Sequence, residues 1–387
     1  MKINKITLLV FGLVLLSSLM LPVPSESQSN TIIVGVLENR NFAYADMMRR
    51  SFELALDSIN ARGAINGRRL KLVYADDGGQ KDQGVKAVKY LIEKEKAVIL
   101  TGAYSSSNAL AMTQTADDLD VPFLVCTAAD DRITQHGKKN IFRLNPPGRE
   151  YTRGLEQLLD QKLKPKTIAI VYENSPFGTS AAIRMMWFCR EKEIEIVDII
   201  PYHKERATAD YIDRIITPLK NRPPEAIFMV SYFKDGVLLV KRIREAGIAS
   251  HLLGGAGGFT HPKFIEATGD AAKLMMTATL WSPDVKNQLA RYYVDHYRTR
   301  YGITPDYHGA EAYSAMLVVA DALRRTGSTA PGDIRKALNQ TNLDTPFGRV
   351  VFESYADFER QNSQPTLVLQ IINSQSTCVW PPELSPL

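Results

Sequence analysis

The sequence predicts an α/β protein of two doubly wound parallel-sheet lobes, and three observations carry that expectation. Short apolar runs alternate with amphipathic helical stretches, the order of parallel strands joined by right-handed crossovers with helices on both faces. The alternation halts at NIFRLNPPGREY (140–151) and then begins again. A chain of 387 residues also exceeds one modest core and suits two domains of ordinary size.

The elements follow in order. TIIVGVL (31–37) is apolar throughout, as a strand covered on both faces should be. Met48, Phe52, Ala55 and Ile59 recur at helical spacing, and Gly63 ends that helix. LKLVYADD (70–77) is the next strand, and Val85, Val88 and Ile92 then mark one helical face. AVILTG (97–102) leads into a helix opened by the serines of GAYSSSNALA (102–111), before VPFLVC (121–126). Pro146 and Pro147 cannot continue a helix or a central strand, which places a crossing between domains there.

The second run comprises TIAIVYE (167–173), a helix from about Gly178 to Lys192, IEIVDIIPY (194–202), helical ADYIDRIITPLK, AIFMVSY (226–232), helical GVLLVKRIREAG and HLLGG. Residues 286–339 read as almost wholly helical, a block free to return and cover the first sheet. Two short strands, FGRVVF and TLVLQIINSQ, are expected to close the chain.

Composition excludes several classes. The formal charge is +5, acidic and basic residues are interspersed, and no polybasic tract with interleaved aromatics occurs, so no nucleic-acid partner is expected. Cys126, Cys189 and Cys378 permit at most one intramolecular disulfide, with its pairing open, and show no zinc spacing. The histidines show no metal spacing either, and His296 reads as a surface or packing residue, so no metal and no cofactor are expected. No G-x-S-x-G elbow is present, and Asp76 and Asp77 read as caps of the turn after their strand. GGAGGF (254–259) lacks both the dinucleotide register and the phosphate-loop lysine and reads as a flexible turn. Tyr292, Tyr293, Tyr297 and Tyr301 read as packing residues. No catalytic set survives, and the chain is not expected to be an enzyme.

Residues 1–30 have the layout of a secretory signal: two lysines, an apolar stretch, then small and polar residues. The mature chain is expected to begin near Thr31. An uncleaved membrane anchor is the alternative reading of the apolar stretch. No Cys follows it for lipid attachment, which points to the periplasm of a Gram-negative cell.

The consecutive serines at a strand-to-helix junction have two readings. A helix N-terminus at the carboxyl edge of a parallel sheet offers free N–H groups and partial positive charge to a carboxylate or phosphate, and Ser105 and Ser106 add donors. An N-cap followed by small residues at a tight turn explains the stretch equally well.

SFELALDSINARGAINGRRLKLVYADD, GAYSSSNALA, VPFLV, NIFRLNPP, VYENSPFG, KRIREAG, YHGAEAYSAMLVVADALRRTG and TPFGRVVF, in that order, resemble the branched-chain amino-acid-binding family of periplasmic solute receptors for ABC importers. The resemblance spans nearly the whole mature chain. It implies the type I periplasmic binding fold: two lobes joined by three crossings near 144–147, 276–282 and 345–348, with the ligand in the cleft. The lobes would then be 31–145 plus 280–346, and 146–279 plus 347–387.

The same resemblance implies a set of ligand-binding residues. Ser106 matches the serine that binds the ligand carboxylate, with Tyr104 and Ser105 in the same turn, and Thr127 falls where a backbone carbonyl receives the ligand ammonium. Phe177 and Tyr232 match aromatic residues of the second lobe. Ala129 and Ala256 stand where the family commonly has a threonine hydroxyl and an acidic side chain for the ammonium. Either Asp130 or Asp131 replaces that charge, or the ligand lacks a free α-amino group, because an unpartnered buried ammonium costs several kcal/mol. In the second case Tyr44, Tyr104, Phe177 and Tyr232 supply apolar and stacking surface for a simple or aromatic carboxylate, or an amide. The expected function is hinge-closing capture of an amino-acid-like or carboxylate solute for an ABC permease. A sensor acting through a signalling partner is the alternative.

Overall fold

The structure, a computed structural model, describes residues 31–135 and 137–382; the expected leader lies outside the described residues. Strands β1 (Thr31–Glu38), β2 (Arg69–Asp76), β3 (Ile99–Gly102), β4 (Phe123–Val125) and β5 (Ile141–Arg143) alternate with helices α1 (Ala45–Ala61), α2 (Lys81–Lys89) and α3 (Ser106–Asp118). These strands are mutually parallel in the order β5-β4-β3-β1-β2. α1 buries Met48, Phe52, Ala55 and Ile59, as their spacing predicts. α2 differs slightly. Its buried face is Gly84, Ala87 and Val88, with Val85 and Ile92 half-buried at the border. Gly84 lets it approach α3, for a Cβ there would sit 3.0 Å from Met112.

After Pro146 and Pro147 come α4 (Arg153–Leu158), β6 (Thr167–Glu173), α5 (Pro176–Glu191), β7 (Glu195–Tyr202), α6 (Ala209–Asn221), β8 (Ala226–Val230), α7 (Phe233–Glu245), β9 (His251–Gly254), α8 (Phe264–Thr268) and β10 (Met276–Thr279). Their strands form a second parallel array, β10-β9-β8-β6-β7. Helices α9 (Gln288–Tyr301), α10 (Tyr307–Thr326) and α11 (Pro331–Asn339) then return to the first sheet, where α10 packs on α1. α10 is apolar or small on nearly every side and buried accordingly. Gly309 is required by that packing: a Cβ would lie 2.6 Å from the Tyr293 hydroxyl.

The C-terminal segment departs from expectation. Six strands stand where two were expected: β11 (Asn342–Thr345), β12 (Gly348–Val351), β13 (Glu353–Tyr355), β14 (Phe358–Gln361), β15 (Leu367–Ile372) and β16 (Gln375–Trp380). β11 and β12 form a separate hairpin, β13 and β14 extend the first sheet beside β5, and β15 and β16 add antiparallel strands to β10. Each large sheet therefore has seven strands. The last passage to the second sheet follows Gln361 instead of lying at 345–348, and residues 353–361 stay with the first sheet. Side chains fix this arrangement. Arg143, fully buried, donates from Nε to Gln361 Oε1 at 2.6 Å, and Asn362 Nδ2 donates to the Leu144 carbonyl at 2.8 Å.

In both parallel arrays the strand order reverses next to the first strand, between β1 and β3 and between β6 and β8. Crevices outside the carboxyl ends at such reversals are where open α/β sheets bind ligands. Here the loops leaving the two reversals face one another.

Candidate ligand-binding cleft

Two close approaches shape the first-sheet side. Gly102 ends β3 at φ +98, where a Cβ would lie 2.2 Å from the Leu37 carbonyl oxygen, so only glycine fits. Ala103 follows at φ 66, and the chain turns into α3. No side chain caps α3, which leaves its first-turn N–H groups without side-chain partners. Ser106 Oγ instead accepts from the backbone N–H groups of Ala129 and Asp130, each at 3.1 Å. Both acceptor positions of that hydroxyl are filled, so its own hydrogen is available only as a donor.

Thr127 carries the opposite assignment. Its hydroxyl donates to the Ala103 carbonyl at 3.0 Å. Its own carbonyl accepts from Asn145 Nδ2 at 3.1 Å and from the Tyr151 hydroxyl at 3.3 Å. The carbonyl expected to receive an ammonium is already occupied by protein donors.

The second-sheet side is aromatic. Glu173, at the end of β6, accepts from the Ser175 hydroxyl at 2.5 Å and the Gly178 N–H at 3.0 Å, fixing the start of α5 and with it Phe177. Asp235 accepts from the Tyr232 N–H at 3.2 Å and from the Tyr202 hydroxyl at 2.5 Å, anchoring Tyr232 ahead of α7. Burial raises both carboxyl pKa values. The glycine-rich turn after β9 is no loose connection. Ala256 and Gly257 are fully buried, Ala256 adopts φ 64, ψ −149, and a Cβ on Gly258 would meet the Tyr232 backbone at 2.2 Å. Conformations of that kind persist only where surrounding structure enforces them.

The two sides meet. The Tyr44 hydroxyl donates to the Gly257 carbonyl at 2.6 Å, the Gly257 N–H donates to the Tyr307 hydroxyl at 3.3 Å, and His261 Nε2 lies 3.1 Å from the Ala43 carbonyl. Phe42 stacks on Tyr232 with centroids 5.8 Å apart, and Lys204 Nζ sits 4.0 Å from the Tyr232 centroid. These contacts close the cleft over a small internal space of about 20 Å³. Outside the aromatic seam lies an open vestibule bordered by Asn41, Lys204 and Lys234.

Six of the nine expected site residues line the inner cavity: Tyr104, Ser106, Thr127, Ala129, Phe177 and Tyr232. Tyr44, Ser105 and Ala256 adjoin it as parts of its seam and walls. Tyr151, Gly257, Tyr307 and His308 complete the lining and were not anticipated. Burial raises the phenol pKa of Tyr104, Tyr151, Tyr232 and Tyr307, so each remains a neutral hydroxyl at ordinary pH. No described lining residue carries a carboxylate or an ammonium. Asp130 pairs with Arg132 at 2.8 Å and Asp131 with Arg149 at 3.5 Å, both away from the lining. The described cysteines are free and buried.

Two α/β units closed over a small polar and aromatic cavity define a hinged solute-binding protein. The chain belongs to the periplasmic binding protein family, whose pattern matches residues 31–376. It is similar to the Leu/Ile/Val-binding protein homolog 7 of Brucella suis, 26% identical over 356 residues covering 87% of each chain. It is 24% identical over 327 residues to the leucine-, isoleucine-, valine-, threonine- and alanine-binding protein of Pseudomonas aeruginosa, covering 82% of this chain and 83% of that one. Two solved structures share the fold. One is the branched-chain amino acid transporter substrate-binding protein of Streptococcus pneumoniae in complex with isoleucine, with TM-score 0.81, 22% identity, and coverage of 89% of this chain and 97% of that one. The other is a solute-binding protein of R. palustris in complex with benzoate, with TM-score 0.79, 19% identity, and coverage of 90% and 95%.

Proposed function

We propose that this protein captures a small organic carboxylate that lacks a free α-amino group and delivers it, from the periplasm, to an ABC permease. The observation that carries the reading is the pairing at the Ser106 corner. Ser106 can only donate, as a carboxylate requires, while the Thr127 carbonyl is already taken by Asn145 and Tyr151. An ammonium entering this cavity would find no carboxylate among the described lining residues and would bear a desolvation cost of several kcal/mol.

Tyr104, Ser106, Phe177 and Tyr232 act as ligand contacts. Tyr44 secures the closed state, and Lys204 and Lys234 attract anions to the mouth. Closure follows from differential affinity: contacts from the second sheet exist only when the cleft is shut, so the ligand draws the hinge equilibrium toward that state. The R. palustris protein of the same fold is in complex with benzoate, which supports the reading. Calorimetry of the purified protein with benzoate and with leucine tests the proposal. Benzoate is expected to bind and leucine to bind weakly or not at all; tight leucine binding would overturn it.

A further inference from the structure

The cavity has a second polar pole, set by α10 instead of α3. Asp306 precedes α10, and its Oδ1 accepts from the backbone N–H groups of His308 at 3.0 Å and Gly309 at 3.4 Å. Its Oδ2 lies 2.9 Å from His308 Nδ1. An ionised carboxylate can only accept, so Nδ1 carries a hydrogen, and in the neutral tautomer this leaves Nε2 as an acceptor. No described residue donates to Nε2. The ring is only 2% exposed, yet it lines the cavity.

His308 also has little freedom to satisfy itself elsewhere. Its ring is sandwiched between Tyr44, with centroids 3.8 Å apart and planes at 28°, and Tyr307, at 3.9 Å and 25°. The Tyr44 hydroxyl is committed as a donor to the Gly257 carbonyl, while the Tyr307 hydroxyl accepts from the Gly257 N–H and keeps its own hydrogen for a guest. A ring nitrogen at the cavity wall with no donor among the described residues is left for a guest or a water to satisfy. Six of the ten lining residues carry rings, and such walls suit a flat aromatic body.

Resting on the carboxylate reading of the Ser106 corner, we propose that His308 is a specificity-determining residue that accepts a hydrogen bond from a ligand hydroxyl remote from the carboxylate. The solute class is then a hydroxy-substituted aromatic carboxylate. Asp306 is its positioning residue, fixing which nitrogen faces the guest.

The test is calorimetry of benzoate, 3-hydroxybenzoate and 4-hydroxybenzoate against the wild-type protein and His308→Phe. One hydroxybenzoate is expected to bind the wild type about tenfold or more tightly than benzoate. His308→Phe should weaken that ligand far more than it weakens benzoate, bringing the two level. Equal wild-type affinity for all three ligands overturns the inference and leaves the carboxylate reading standing. A preference that survives His308→Phe, or a loss of benzoate binding as large as the loss of hydroxybenzoate, also overturns it. Failure of all three ligands to bind overturns both readings. Should His308→Phe not fold, the wild-type comparison decides, and His308→Gln, which keeps an acceptor, should retain part of the preference.

Discussion

The two walls of the cleft are built from the same βα junctions and yet present different chemistry. On the first-sheet wall, Ser106 and Thr127 offer side-chain hydroxyls whose roles are fixed by neighbouring backbone groups. On the second-sheet wall, Phe177 and Tyr232 offer rings, and the hydrogen bonds that reach across are made by the backbone of Gly257 and the side chain of His261. The difference separates recognition from closure. On the proposed function, the hydroxyl wall would engage a solute in an open cleft and the aromatic wall would contribute only once the hinge has moved.

The sharpest way to break this division is Ser106→Ala. It removes the one donor with both acceptor positions filled and strands the N–H groups of Ala129 and Asp130. Hydrogen bonds to charged groups contribute about 1.5–3 kcal/mol, so benzoate affinity measured by calorimetry should fall roughly ten- to a hundredfold. Unchanged affinity would mean that the hydroxyl wall does not hold the carboxylate.

Both walls are backed by buried carboxyls, but Glu173 and Asp235 behind the aromatic wall are hydrogen-bonded, whereas the one behind the hydroxyl wall is not. Glu311 on α10 is fully buried with neither carboxylate oxygen partnered, and burial raises its pKa well above the ordinary value. The cost depends on pH with a definite sign. Below the unfolded carboxyl pKa both states are protonated and nothing is lost. As pH rises through that value the unfolded chain ionises while the native state holds its proton, so stability declines until the folded pKa is reached. Glu311→Met should therefore raise unfolding stability by about 1–3 kcal/mol at neutral pH. In denaturant titrations the gain should shrink as the pH is lowered below about 4, down to the part that comes from burying an unpartnered neutral carboxyl. A pH-independent gain would locate its origin in packing instead of ionisation.

The first wall was also the more legible in the sequence. Its serines follow an apolar strand and sit at a helix start, a junction whose local chemistry admits an anion site and a plain N-cap equally. The parallel strands were legible for the same reason, since burial on both faces leaves continuous apolar runs. The C-terminal strands were not. ESY and FERQ are three and four residues long, carry charges, and owe their place to a buried guanidinium more than two hundred residues away in the chain. His308 and Tyr307 were hidden for another reason. They sit at the start of a helix whose whole length reads as core, and only the return of that helix to the first sheet brings them to the cleft. The one available signal was Asp306, an N-cap immediately ahead of them. The glycine-rich turn looked loose because glycine marks both mobility and close approach, and the sequence does not tell the two apart.

The finest test of the comparison is Tyr44→Phe, which touches neither the hydroxyl corner nor the packing of the second wall. It deletes only the 2.6 Å bond from the Tyr44 hydroxyl to the Gly257 carbonyl, a contact that can exist only when the walls have met. One neutral hydrogen bond contributes about 1 kcal/mol, so benzoate should bind roughly fivefold more weakly, with the loss appearing in the dissociation rate because the solute escapes when the cleft reopens. Small-angle scattering of the unliganded variant should show a larger radius of gyration than the wild type, and saturating benzoate should bring the two together. If the variant matched the wild type in both measurements, closure would rest on the ring contacts between Phe42, Tyr104 and Tyr232, and the backbone hydrogen bonds of the second wall would be passengers of that motion.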